Sequence, residues 1–289
     1  MVSKIRVNAV WNVAKTEFVK WITNPRMIIL AVFIFFIHSF VVQPMNEHVL
    51  KYGEPLNVFE PFIAISNSGF LMLLMPIVFI LLISDFPKMG ESSLYYIQRT
   101  GKLNWFLGQM LHIIISIFTF IFLILVSCMI MSKGTFSGKW SNTISKYDAR
   151  FPDEAEGFVS KLIASNIYNQ ISLKRALFYA IALLGLQLFM IALILCIMKM
   201  MYLHSAGLFT AVSIVAIGTA AAMLNVKAMW FFPTANSMLL LHYHAIMRKE
   251  IMPMSNSFMY YIFVDMVLII ANLFVIFDMQ FINIDQEEI

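Results

Sequence analysis

The stretch FLGQMLHIIISIFTFIFLILVSCMIM, residues 106–131, contains no Asp, Glu, Lys or Arg. A bilayer core is crossed by roughly 20 apolar residues of helix, so this run can span one. Five more apolar runs share its character: about Met27 to Val42, Ser68 to Ser84, Ala176 to Met198, Ala206 to Leu224 and Phe258 to Phe277. Of the 289 residues 61% are hydrophobic and 12% charged, with a mean hydropathy of +0.82. A soluble domain carries about 25% charged residues. The balance excludes a soluble globular enzyme, a disordered regulator and a disulfide-stapled secreted module. The net charge of +4 lies beside the apolar runs and does not point to nucleic acid. Cys128 and Cys196 both fall inside runs, so no disulfide framework is expected. The reading is an all-α integral membrane protein of six transmembrane helices, a single domain over residues 1–289.

Orientation follows from the charges around the first run. Lys4, Arg6, Lys15, Lys20 and Arg26 precede it against one acid, Glu17, while the following loop has Lys51 alone. Charge bias at the first helix usually sets topology, so both termini are expected in the cytoplasm of a multi-pass plasma-membrane protein. The first run starts too late, and lacks the small-residue site, for a cleavable leader. The absence of any Asn-x-Ser/Thr sequon agrees with a bacterial source.

Residues 1–26 form the first of the segments outside the spans. Val7, Val10, Trp11, Ala14, Phe18, Trp21 and Ile22 fall within an arc of about 120° at helical spacing. With lysines flanking two tryptophans, this describes a helix lying in the headgroup plane, ended by Asn24-Pro25. Residues 85–105 form a loop on the same side, with Glu91–Thr100 as a short helix between Gly90 and Gly101. Leu94, Tyr95, Tyr96 and Ile97 give it apolar bulk, and Arg99 lies near its end. Two fates suit such a helix: docking on a protein partner, or folding back on the membrane face. Residues 132–175 make a long outer loop of mixed charge. Residues 225–257 contain Trp230 to Met247, which Pro233, Asn236 and two histidines interrupt too often for a full span. An outer re-entrant segment before the last helix is expected there, buried in protein because irregular backbone is tolerated at that depth only when so covered.

Ionisable groups inside spans cost about 2.5–3.5 kcal/mol each on insertion scales and are functional candidates by default. Asp265 lies in the sixth run with Asn272 seven residues on, hence on the same face; Gln187 lies midway along the fourth. These three either border a pathway or make polar helix contacts. His38, Gln109 and His112 lie near the ends of their spans. Ala216, Gly218, Ala220 and Ala222 form pairs four apart in the fifth run, allowing close helix packing, either across a dimer seam or within one subunit. His242-Tyr-His244 lacks the acids or cysteines of a metal site and reads as interfacial residues; no metal is expected. Gly134-Thr-Phe-Ser-Gly138-Lys139-Trp140 is one residue short of a phosphate-binding loop and has Trp where Ser or Thr belongs.

Three passages, in order, resemble the ABC-2-type transporter permease family, the membrane subunits of bacterial ABC exporters. Lys15-Thr-Glu17-Phe-Val-Lys-Trp-Ile-Thr-Asn-Pro25-Arg26 is similar to the family's entry into the first span. Asp85 to Gln109 is similar to its coupling passage, with Arg99-Thr-Gly-Lys where a proline is frequent. Phe232-Pro233 to Arg248 is similar to its outer segment before the last span. The resemblance implies that Trp11, Phe18 and Trp21 belong to an elbow helix, and that Glu91, Leu94, Tyr95, Tyr96, Ile97 and Arg99 couple to an ATPase. It further implies two cytoplasmic ATP-binding subunits and a second permease, as homodimer or paralogous heterodimer. ATP and Mg would then be bound by the partner, with no cofactor and no enzymatic activity in this chain. The expected cargo is amphipathic or hydrophobic: a peptide such as a bacteriocin, toxin or antibiotic, tied to resistance or immunity. The 22 Met and 27 Phe suit flexible binding walls and equally suit lipid contact. An ion-coupled transporter and an intramembrane enzyme are the alternatives.

Overall fold

Asn24-Pro25 divides the N-terminal region into two helices, α1 (Val7–Ile22) and α2 (Met27–Tyr52). The Asn24 side chain accepts the Arg26 backbone N–H at 2.9 Å, closing the turn between them. The computed structural model describes residues 5–89, 91–154, 157–244 and 249–278, with the backbone alone at 91–94. Helix α2 runs beyond the expected end at Val42. It widens into a π-turn over His38–Val42 just before Pro44, where the missing N–H and the ring's clash with the carbonyl four residues back disturb the regular ladder. Its polar extension is held from outside: Asn46 donates to Met131 O and accepts from Lys133 N.

The second apolar run, read from Ser68 to Ser84, is a helix of 14 residues preceded by a further helix at a sharp bend. α3 (Glu60–Asn67) and α4 (Gly69–Leu82) meet at 92° across Ser68, whose hydroxyl accepts from Leu71 N. Then come α5 (Glu91–Thr100), α6 (Lys102–Met131), α7 (Leu173–Met200) and α8 (His204–Met223). Two short helices, α9 (Pro233–Ser237) and α10 (Leu239–His242), precede the last long one, α11 (Met254–Asp278). Among the described residues five helices are long and apolar enough to cross a membrane, or six if α3 and α4 count as one span. This is a multi-pass, all-α membrane protein. Val32, Phe118, Phe209, Phe263 and Phe274 stand exposed on the long helices, as lipid-facing side chains do.

Two contacts fix which ends lie together. Arg26, at the start of α2, pairs with Asp85, just past α4, at 2.6 Å; Lys199 Nζ near the end of α7 donates to Asp85 O. Lys102 Nζ at the start of α6 donates to Phe277 O near the end of α11. These ends define the N-terminal face. On the opposite face Leu56–Asn57 and Gly134–Thr135 pair as a two-residue parallel ladder. Glu60, fully buried at the first turn of α3, accepts from Asn57 N (2.8 Å), Ser141 N (2.7 Å) and Ser141 Oγ (2.8 Å). The segment 132–172 is therefore folded onto the bundle, with short helices such as Asn142–Ser145 and Phe158–Leu162.

Towards that opposite face every residue of α3 is buried. Asn67 Oδ1 accepts from Leu240 N of α10, so two broken half-helices meet in the interior. Irregular backbone at depth is satisfied here by protein partners.

Candidate partner-binding surface and buried polar groups

Helix α1 packs along the first half of α6. Their approach depends on Gly108, where an added Cβ would lie 2.6 Å from Val13 Cβ and 3.0 Å from Val10 O. Gly108→Val is expected to part the two helices at a cost of about 1–3 kcal/mol. A lowered thermal midpoint together with tryptic cleavage at Lys15 or Lys20 would register it; wild-type resistance would argue against the contact.

The buried arc of α1 is not the apolar arc read from the sequence. Val13, Ala14, Glu17 and Trp21 are buried, Phe18 is half-buried, and Trp11 is 52% exposed. The sequence placed Glu17 on a flank, yet it is 7% exposed and takes Lys20 Nζ at 2.9 Å. The cause is the packing against α6, which takes the arc of Val13, Ala14, Glu17 and Trp21 and leaves Trp11 outside it.

Helix α5 is where the sequence placed it. Arg6 anchors its end: the guanidinium donates to Arg99 O and Thr100 O at 3.0 Å each, and the Arg6 N–H to Asn104 Oδ1 at 2.9 Å. A cation on terminal carbonyls satisfies groups the helix cannot pair internally and complements its dipole. Tyr95 is 62% exposed, Arg99 is exposed, and Tyr96 is half-buried with Lys20 Nζ 5.9 Å from its ring centre. Ile97, expected to add exposed bulk, is buried instead. It fixes α5 to the bundle and leaves Tyr95 and Arg99 free. The Glu91 and Leu94 side chains, and Gly90, lie outside what is described. Between α1 and α5 runs an open groove lined by Arg6, Asn8, Asn12, Tyr96 and Arg99. The surface is cationic and aromatic.

The small-residue pairs of α8 separate. Gly218 and Ala222 are buried; an added Cβ at Gly218 would stand 3.0 Å from Phe232 Cβ and Thr234 Oγ1. That pair therefore packs within the chain, against α9. Ala216 and Ala220 remain exposed.

Polar residues of α11 form one buried seam: Ser257, Tyr261, Asp265 and Asn272. Ser257 Oγ donates to Asn236 Oδ1 at 2.9 Å and contacts His242 Nε2 at 2.8 Å. Tyr261 donates to Pro233 O and meets Ser237 Oγ. Asn272 Nδ2 donates to Leu193 O at 3.1 Å. His242 is thus a fully buried link, not the interfacial residue the sequence suggested; its Nδ1 meets Met238 O. The tight spacing of polar residues in 232–244 signalled a polar core, but no local pattern named the partners.

Asp265 is the least satisfied member of this seam, where Asn272 Oδ1 is also buried without a partner among the described residues. Both its carboxyl oxygens are buried and lack a hydrogen-bond partner among the described residues, as do both polar atoms of Gln187. Ser237 bridges Tyr261 to Leu183 O, and Asn272 reaches Leu193 O. One turn beyond Tyr261 is Asp265, and one turn beyond Leu183 is Gln187, so the four orphan atoms share one level. Among the described residues no group of three His, Cys, Asp or Glu could hold a metal ion. Comparison with protein-family models, with curated proteins and with solved structures finds no match for this chain.

Proposed function

We propose that the chain is the permease subunit of an ATP-driven exporter of the ABC-2 type, working with separate ATP-binding subunits at its N-terminal, cytoplasmic face. The observation that carries the reading is α5: a short helix on that face, held from behind by Ile97 and Arg6, with Tyr95 and Arg99 exposed. Rigid attachment suits a lever, because a push on Tyr95 is passed to α1 and α6 and not absorbed locally. The contacts Arg26–Asp85 and Lys102–Phe277 O support six crossings, with the bent pair counted as one and both termini inside. The exposed Ala216 and Ala220 suit a seam with a second permease, and the buried elements α9 and α10 suit an outer cap over the pathway. An amphipathic peptide such as a bacteriocin, toxin or antibiotic remains the proposed cargo, since exposed Met and Phe side chains offer adaptable apolar walls.

Tyr95→Asp should leave insertion intact and weaken capture of the ATP-binding subunit at least about tenfold, the scale of losing one aromatic anchor. Co-purification and ATP-dependent transport in vesicles would measure it. Transport by the purified chain alone, driven by an ion gradient without ATP, would favour the ion-coupled alternative and sink the proposal.

A further inference from the structure

The groove between α1 and α5, lined by Arg6, Asn8, Asn12, Tyr96 and Arg99, holds about 1180 Å³ of atom-free space including its open mouth. Its lining has two guanidinium groups and no carboxylate among the described residues. Nearby Lys20, 5.9 Å from the Tyr96 ring centre, is already paired with Glu17. Arg6 donates to the carbonyls that end α5 and keeps its charge. Arg99 is exposed and forms no ion pair among the described residues. Asn8 and Asn12 present side-chain amides one turn apart at exposed positions of α1. Two cations, two amides and an aromatic ring make a seat for an acidic peptide segment.

The chain carries such a segment within reach. Residues 279–289, MQFINIDQEEI, include Asp285, Glu287 and Glu288 and no Lys or Arg; they lie outside the described residues. Helix α11 leads into them beside the groove, because Lys102 Nζ holds Phe277 O at 3.1 Å. Lys102 is three positions from Arg99, about 11 Å of chain at most, and Asp285 is seven from Asp278, a reach of about 23 Å. We propose that the groove holds this acidic segment of the same chain, with its carboxylates facing Arg6 and Arg99 and its backbone meeting the Asn8 and Asn12 amides. One exposed ion pair strengthens a contact by at most about fivefold. A tethered segment, however, meets its seat at roughly millimolar effective concentration, where a few weak contacts suffice. Arg99 also belongs to the surface proposed above for an ATP-binding subunit, so the segment and the subunit would compete. That consequence rests on the proposed function; the contact itself does not.

Full-length protein carrying Gln286→Cys with either Asn8→Cys or Asn12→Cys is placed in phosphatidylcholine nanodiscs with no ATP-binding subunit present. Disulfide formation under copper–phenanthroline is followed on non-reducing gels; the native Cys128 and Cys196 are buried. A rapid bridge within one chain is expected from at least one pair. Asp285→Asn, Glu287→Gln and Glu288→Gln together should slow it at least about tenfold, the scale of two or three exposed ion pairs. Arg99→Glu should also slow it, and adding Glu287→Lys and Glu288→Lys to that variant should restore the rate. Salt at about 1 M, which screens charges beyond about 3 Å, should slow the parent pair. No bridge in either pair, a rate unchanged by the three neutralised acids, or a bridge formed only between chains would overturn the assignment. Loss of the bridge when phosphatidylglycerol replaces phosphatidylcholine would give the groove to lipid headgroups and overturn it as well. Should Arg99→Glu disturb α5, the three neutralised acids decide, because they leave the groove lining untouched.

Discussion

Glu60→Leu should destabilise the protein by about 3–5 kcal/mol, because it strands two backbone N–H groups and a hydroxyl that now share one carboxylate, each buried donor costing about 1–3 kcal/mol when left unpaired. The carboxylate lies at the first turn of α3, where the helix dipole also favours it, and gathers Asn57 with Ser141 from a segment 81 positions away. The expected consequence is local as well as global: 132–172 loses its tie to the bundle. Glu60→Gln keeps one acceptor oxygen and should cost about half as much. The unfolding midpoint of the purified protein and thermolysin cleavage between Phe136 and Ile171 would read both effects. A wild-type midpoint in Glu60→Leu would show that the three bonds contribute nothing.

Asp265→Leu should act in the opposite direction and raise stability. A carboxyl midway along α11 with neither oxygen bonded leaves buried polar atoms unpaired at about 1–3 kcal/mol, a cost that an apolar side chain of similar size removes. The neighbouring orphan, Gln187, supplies the control. If the two side chains share a proton or a water at their common level, the double variant will depart from the sum of the singles by about 0.5–3 kcal/mol. If they are independent, the two gains will add. A loss of stability in Asp265→Leu would mean that the carboxyl holds a partner its neighbours do not show. Under the proposed export function, transport measured on the same variant divides the roles: a more stable but inactive protein would assign Asp265 to the pathway, whereas a more stable and active one would make it a structural residue.

Much of the architecture was legible in the chain. Apolar runs mark the spans because each buried peptide group must be paired inside its own helix, so length and hydropathy suffice. Asn24-Pro25 marks the end of α1 for a similarly local reason, and Gly90 and Gly101 bracket a helix that the structure has at Glu91–Thr100. Broken backbone ahead of the last span was equally readable from Pro233 and Asn236. The 92° bend at Ser68 was not. Glu60–Asn67 lay ahead of the run read from Ser68, and only burial against the 132–172 segment and α10 makes it a half-helix.

The sites were less legible, for a physical reason particular to membranes. In water an amphipathic stripe names the buried face; in a bilayer lipid and protein are both apolar, so the stripe names neither. Hence Trp11 and Trp21 look alike in sequence, yet one is exposed and the other buried beside Glu17. Gly218/Ala222 and Ala216/Ala220 are the same pattern, and only α9 decides which pair packs inside the chain. Asp265 and Asn272 share a helix face by spacing alone, but the Asn272 Nδ2 finds Leu193 O while its Oδ1 and both Asp265 oxygens find no partner among the described residues. The chain by itself determined that long apolar helices make up the protein, where five of them lie and which few polar residues they carry. Tertiary structure decided which of those residues are partnered, because a hydrogen bond depends on what a second helix brings to the same depth.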